Sequence, residues 1–263
     1  MNLRDASTVV TGASSGIGAE TAKAFGKRGA RVALLSRTRS KLEDVAEQVE
    51  SAGGIATVHP CDVGDHEAVQ AVADEILAER TPNVVVNNAG AGRFLFLEET
   101  DPEELEQMIR VPALGALFVT RAFLPAMVRR DSGVLVTLNT PAAYAPWPGS
   151  AGYATARWAM RGMTEALRAD LHGTGLTVTQ VIPGEVKSDY FDNNPGAADR
   201  LPGVSKLMPK LEPSEVGEAV ASAVEDEAGD VFLPFTLRAS ALSARLTPRI
   251  TSWVVARTGA DRP

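Results

Sequence analysis

A doubly wound parallel α/β sheet, covered by helices on both faces, is the fold that this 263-residue sequence predicts. Three observations carry it. Short apolar runs rich in β-branched residues alternate with amphipathic helical patterns, as expected of strands buried on both faces and joined by helical crossovers. A glycine-rich stretch, TGASSGIG at residues 11–18, lies between the first such run and the first helical pattern. No repeat, low-complexity run or linker divides the chain, so one domain over residues 1–263 is expected.

From the N-terminus, STVVTG (7–12), ARVALLS (30–36) and IATVHP (55–60) read as strands, followed by NVVVNNAG (83–90), GVLVTLN (133–139) and GLTVTQVIPG (175–184). The stretches 19–28, 40–52 and 68–79 read as the helices between the early strands. Two late segments break the rhythm. Residues 188–211 are rich in Pro, Gly and Asn, yet carry Tyr190, Phe191, Leu201, Val204, Leu207 and Met208. That mixture reads as a substrate lid over residues 188–212, with an interface loop as the alternative. Residues 231–263 carry five arginines against one aspartate, opposite in sign to the chain as a whole.

Composition narrows the function. Hydrophobic residues make up 44% and charged residues 22%, ordinary for a globular protein. A net charge of -7 argues against a general nucleic-acid binder, which needs a basic face. The single cysteine, Cys61, excludes a disulfide framework and a cysteine-based metal site. His59, His66 and His172 show no metal-ligand spacing, so no metal is expected. The first residues, MNLRDASTVVTGASSG, have no long apolar core of the kind a signal peptide needs. No run of about twenty apolar residues suggests a spanning helix. A cytoplasmic enzyme is the expectation.

The glycine-rich stretch supplies the first chemistry. Gly12 permits a tight turn, Gly16 lets backbone approach a pyrophosphate, and Gly18 lets helix and strand pack. The backbone N–H groups of Ser14, Ser15, Gly16 and Ile17 then lie at a helix N-terminus, which attracts anions. The strand–turn–helix context makes dinucleotide binding the preferred reading. A carboxylate at the end of the second strand would bind a ribose 2′-hydroxyl and repel a 2′-phosphate. That strand ends LLSRTRS, with no acid. Arg37 suits a 2′-phosphate, with Ser36 as hydrogen-bond donor, so NADP(H) is favoured over NAD(H).

Tyr153 and Arg157, in GYATAR, stand one helical turn apart on one face. A phenol beside a fixed cation is an acid/base device, because the cation favours the phenolate.

The motifs TGASSGIG, CDV (61–63), NNAG (87–90), YATAR (153–157) and PGEVKS (183–188) occur in an order that resembles the short-chain dehydrogenase/reductase family, from residue 7 to about 234. The resemblance implies a Rossmann-type sheet, a nicotinamide cofactor, a small-molecule substrate and a homo-dimer or homo-tetramer. It implies that Asp62, with Val63, contacts the adenine, and that Asn88, Ala89 and Gly90 line its ribose. It implies that Pro183 and Gly184 shape the loop beside the nicotinamide. Val186 would meet its amide, and Ser188 stands where the family has threonine.

The resemblance also implies a catalytic set, which this chain alters at three positions. Thr140 occupies the serine position, thirteen residues before Tyr153. A threonine hydroxyl can donate to a carbonyl as serine does, with a more restricted rotamer. Arg157 replaces lysine; it keeps the charge but not the ability to give up a proton. Pro112 replaces the asparagine, and has neither a side-chain amide nor an N–H. Pro112 and Arg157 together remove two neighbouring parts of a proton relay. The favoured reading is an NADP(H)-dependent carbonyl reductase or alcohol dehydrogenase acting on a hydrophobic or bulky substrate. The alternatives are non-redox chemistry on the same fold (a dehydratase, cyclase or isomerase) and a catalytically silent NADP(H)-binding sensor or scaffold.

The C-terminal extension, residues 238–263, reads as a basic amphipathic helix. Packing on the domain or a partner subunit is preferred to peripheral membrane contact, because surface helices usually bury their apolar stripe in protein.

Overall fold

The computed structural model describes residues 1–90, 92–187, 200–203, 205 and 208–259. Its seven strands are β1 (Ser7–Thr11), β2 (Arg31–Ser36), β3 (Ile55–Pro60), β4 (Val84–Asn87), β5 (Gly133–Leu138), β6 (Leu176–Pro183) and β7 (Asp230–Leu233). They pair in parallel in the order β3-β2-β1-β4-β5-β6-β7. The order reverses between β1 and β4, and such a switch point leaves a crevice beyond the carboxyl ends of the strands.

Alternation along the strands sends neighbours to opposite faces. Val10, Val84, Val86, Val134 and Val136 join one core cluster, while Val9, Val85 and Leu135 join the other. Helices α1 (Gly16–Lys27), α2 (Arg39–Ser51) and α7 (Pro213–Glu225) cover the first cluster with Phe25, Val45, Val49 and Val220. Helices α3 (His66–Glu79) and α5 (Gly115–Arg130) cover the second with Val69, Ile76, Val119 and Phe123. The six strands read from the sequence are all present; β3 has the bounds read, and the other five are trimmed of flanking residues. The sequence reading missed β7. It is four residues long at the sheet edge, and its short apolar run Val231–Leu233 leads straight into Pro234, which argues against a strand.

Helix α4 (Pro102–Ile109) continues through a π-helical turn at Arg110–Leu114 into α5. Pro112 sits in that turn and has no N–H to give an α-helical bond. The ladder widens there, and the Gly115 N–H donates to the Arg110 carbonyl five residues back. The whole helix, Pro102–Arg130, is long and apolar enough to cross a membrane by length and composition. Its inner face nevertheless packs on the sheet through Val119, Phe123 and Met127.

Helix α6 (Ala151–Asp170) carries Tyr153 and Arg157. The single C-terminal helix expected from the sequence is two helices, α8 (Leu237–Leu246) and α9 (Pro248–Thr258). Pro248 is the cause: at the first position of α9 its missing N–H costs nothing, whereas inside one long helix it would remove a bond. Both helices lie on the rest of the chain through Leu237, Ala241 and Val255, and Val255 packs with Phe94, Ala142 and Trp147.

Candidate active site

The loops at the carboxyl ends of β1 to β6 converge on one cavity of about 1320 Å³. Drug-sized ligands occupy roughly 300–1,000 Å³, so there is room for more than one small molecule.

One end of the cavity is built on the first turn. Gly12 has φ +65°, and a Cβ there would stand 2.9 Å from both the Cα of Ala89 and the Nδ2 of Asn88. The turn is pinned from β4. The Asn88 amide donates to the carbonyls of Thr11 (2.9 Å) and Gly12 (3.3 Å), and the Thr11 hydroxyl accepts the N–H groups of Asn88 and Ala89. Asn88 therefore spends its amide on the backbone. Helix α1 has no side-chain cap at Ser15 and no acid in its first turn, and Ser14, Ser15, Gly16 and Ile17 line the cavity. Its leading N–H groups and dipole face that space.

Farther along, the Ser36 hydroxyl is buried without a hydrogen-bond partner among the described residues, and it lines the cavity. Arg37, beside it, is exposed at the rim. On the loop after β3, one oxygen of Asp62 accepts the Gly64 N–H at 2.9 Å. Val63, Asn88, Ala89 and Gly90 complete this side.

Cys61 also lines the cavity. Burial, with the charges of Asp62 and Asp65, pushes its thiol up to about 11. The thiolate is the reactive form, and at pH 8 only about one molecule in a thousand would carry it. We expect native protein to resist iodoacetamide at pH 8, with stoichiometric labelling in denaturant. Rapid labelling of the native chain, read by intact mass, would contradict this.

At the other end, the ring of Tyr153 is fixed on two sides. Phe94 meets it edge-on, with centroids 5.0 Å apart, and the guanidinium of Arg157 lies over its face, 4.9 Å from the centroid. The backbone crowds it too, since a Cβ on Gly92 would stand 2.9 Å from the Tyr153 Cδ2. The negative face of a phenol ring attracts a cation in that position. Arg157 Nη1 donates weakly to the Leu138 carbonyl at 3.4 Å, while Nε is buried without a partner among the described residues. A Cβ on Gly90 would stand 2.8 Å from Arg157 Nη2. This guanidinium has donors to spare where it borders the cavity. Thr140 caps a short 3-10 turn, where its Oγ1 accepts the Ala142 N–H at 3.4 Å. Its own O–H remains able to donate.

One cavity thus gathers Gly12, Ser14, Ser15, Gly16, Ile17, Ser36, Arg37, Asp62, Val63, Asn88, Ala89 and Gly90 with Thr140, Tyr153, Arg157, Pro183, Gly184 and Val186. Gly18 does not line it and acts in packing behind the turn. Ser188 lies outside the described residues, as does most of the expected lid. Of that segment, Leu201, Pro202, Ser205 and Met208 line the cavity.

Sequence reasoning missed Asn139. Its Oδ1 accepts the Thr140 N–H at 3.0 Å, and its amide donates to the Arg157 carbonyl (3.2 Å) and to Gln180 Oε1 (2.7 Å). One side chain therefore ties Thr140 to α6. The available signal was an asparagine ending an otherwise apolar strand. The aromatic wall of Phe94 and Trp147 was missed as well, since neither residue falls within a motif.

The profile of the short chain dehydrogenase family matches residues 6–197. The chain is 34% identical over 232 residues to "Probable oxidoreductase EphD" of Mycobacterium tuberculosis, covering 82% of this chain but 39% of that one. It thus spans about two fifths of the length of that relative. It is 30% identical over 254 residues to the human "Short-chain dehydrogenase/reductase 3", covering 94% of this chain and 82% of that one. Among solved structures, a metagenomic short-chain oxidoreductase in complex with NADP superposes with a TM-score of 0.75 at 30% identity, covering 88% and 98% of the two chains. The alcohol dehydrogenase of the archaeon Thermococcus sibiricus, complexed with 5-hydroxy-NADP, superposes with a TM-score of 0.76 at 28% identity, covering 86% and 95%. With its seven-stranded parallel sheet, its glycine turn and its tyrosine on α6, the chain belongs to the short-chain dehydrogenase/reductase family of oxidoreductases.

Proposed function

We propose that the protein is an NADP(H)-dependent carbonyl reductase or alcohol dehydrogenase for a hydrophobic or bulky neutral substrate. The observation that carries this is the single cavity in which an anion-binding helix start, an unpartnered Ser36 hydroxyl and Arg37 share space with Tyr153, Thr140 and Arg157. When bound, the nicotinamide supplies or takes the hydride. Gly12, Gly16 and the first turn of α1 hold the pyrophosphate. Ser36 and Arg37 hold the 2′-phosphate, and the spare donors of Arg157 meet the nicotinamide ribose.

In reduction, Thr140 donates to the substrate carbonyl and Tyr153 passes its proton to the carbonyl oxygen. The carbonyl carbon gains the hydride, so a ketone becomes a secondary alcohol. Arg157 over the ring face stabilises the phenolate left behind. Because arginine gives up no proton and Pro112 offers no amide, reprotonation of Tyr153 draws on the cavity's own water. Phe94, Trp147, Leu201, Met208 and Val254 also line the cavity, and these apolar walls support a hydrophobic substrate.

The test is oxidation of NADPH against a panel of ketones and aldehydes. Turnover with NADPH well above that with NADH is expected, and Arg37→Ala should raise the KM for NADPH about tenfold or more, with the value for NADH unchanged. Losing one charge-assisted phosphate contact costs about 1.5–3 kcal/mol. Equal use of both cofactors by the parent enzyme would remove the 2′-phosphate assignment. Product formation without change in nicotinamide absorbance would move the protein to the non-redox reading. Binding without any product would leave a sensor.

A further inference from the structure

We propose that the consecutive helices α8 and α9 dock on an anionic lipid bilayer, with the cavity mouth opening toward it. The exposed surface of these two helices concentrates apolar side chains. Leu246 (71% exposed), Ile250 (62%) and Trp253 (58%) are joined by Leu242 and by Phe235 just before α8. Helical spacing puts Leu242 and Leu246 on one face of α8, and Ile250, Trp253 and Arg257 on one face of α9.

Arginines frame this face. Arg238, Arg245, Arg249 and Arg257 are all exposed, and none forms an ion pair among the described residues. Arg238 lies over the Phe235 ring at 5.8 Å and Arg257 over Trp253 at 4.8 Å. Guanidinium heads beside aromatic and leucine side chains match the chemistry of an interfacial helix, whose apolar face enters the acyl boundary while its cations meet lipid phosphates. The net charge of -7 does not oppose this, because charges beyond about 10 Å are screened at physiological salt.

A second copy of the chain is the competing occupant. An isologous contact through this face would set each set of four arginines against its own image; α8 and α9 themselves carry no carboxylate, and Glu165, which shares a small cleft with Arg245, is already paired with Arg168. An anionic surface meets the charge and the apolar strip together.

The face is continuous with the cavity. Ile250, on the exposed strip, also lines the cavity, as do Ser243, Thr251 and Val254 next to it. The substrate class that fits is a lipophilic carbonyl or alcohol that enters from the bilayer. That clause rests on the reductase reading; the docking surface does not.

The experiment is co-sedimentation of the full chain with vesicles of phosphatidylcholine alone and of phosphatidylcholine with phosphatidylglycerol. The expected result is binding to the anionic vesicles, reversed by high salt. Each arginine near an anionic surface is worth about fivefold, so replacing all four by glutamine should lower partitioning by two orders of magnitude or more. Leu246→Glu with Trp253→Glu should abolish binding, and circular dichroism would confirm that both variants fold. Failure of the parent chain to sediment, or equal sedimentation of parent and variants, would overturn the proposal. So would a fall in solution mass for Leu246→Glu/Trp253→Glu without lipid, which would assign the face to a second copy. Turnover of a small water-soluble aldehyde separates the two readings. Vesicle binding without turnover would retain the surface and remove the substrate clause, whereas turnover without binding would retain the reductase reading and remove the surface together with entry from the bilayer.

Discussion

Tyr153→Phe is expected to lower kcat/KM for ketone reduction by about 10²–10⁴-fold, the range typical of a positioned general acid. NADPH affinity should be nearly unchanged. The substitution removes one oxygen and leaves the ring. Phe94 would still meet that ring edge-on, and Arg157 would still lie over its face. Both contacts depend on the ring rather than the hydroxyl, so melting should move little, as for most changes without a cavity or a lost buried bond. The comparison therefore isolates proton transfer from packing. Initial rates at saturating NADPH, with a fluorescence titration of the cofactor, provide the two readings. Turnover at the parent rate would remove the phenol from the chemistry and return Tyr153 and Arg157 to the status of an ordinary helical pair.

Legibility differed between the two halves of this site for a physical reason. The half proposed to hold the cofactor depends on backbone conformation, and backbone conformation leaves marks in sequence. Gly12 is needed because φ is +65° there, and the missing acid after β2 is visible as LLSRTRS. The inner strands were legible because both faces are buried, which forces continuous apolar runs. Strand β7 was not, because its three apolar residues run straight into Pro234. The catalytic half depends on side-chain placement. Arg157 reads in sequence as a substituted lysine; the structure adds that its guanidinium stacks on the phenol ring and keeps a buried Nε without a partner among the described residues. Asn139 joins its neighbour Thr140 to two elements far along the chain, through the Arg157 carbonyl and Gln180, a pattern that no local spacing encodes. Pro112 is legible as a lost amide, while the π-helical turn it sits in leaves no mark in the local sequence pattern. The break at Pro248 was legible in principle, since proline opens helices readily and continues them poorly. It was overlooked because the apolar pattern runs on through it.

Gly18→Ala is expected to damage stability and cofactor binding together, although Gly18 does not touch the cavity. A Cβ at this position would stand 2.2 Å from the Gly12 carbonyl oxygen, 2.5 Å from Asn88 Nδ2 and 2.8 Å from the Gly12 carbonyl carbon. Two of those atoms are backbone in the turn itself, and the third is the amide that pins the turn to β4. None is the free end of a flexible side chain, so relief requires α1 to move away from β1. Overpacking of this kind costs about 1–3 kcal/mol, occasionally more. In a domain of this size each kcal/mol lowers Tm by roughly 2–4 °C. NADPH affinity should fall as well, because the displaced turn is the one that presents the first N–H groups of α1. Gly162→Ala, in α6, is the control. Nothing lies within 4 Å of its would-be Cβ, so relief of a mid-helix glycine should stabilise by up to about 1 kcal/mol. Thermal melting and NADPH titration of the two variants test the claim. A Gly18→Ala protein that melts with the parent and binds NADPH as tightly would show that helix α1 can retreat freely, and that the close approach of α1 to the first turn is not what builds the phosphate site.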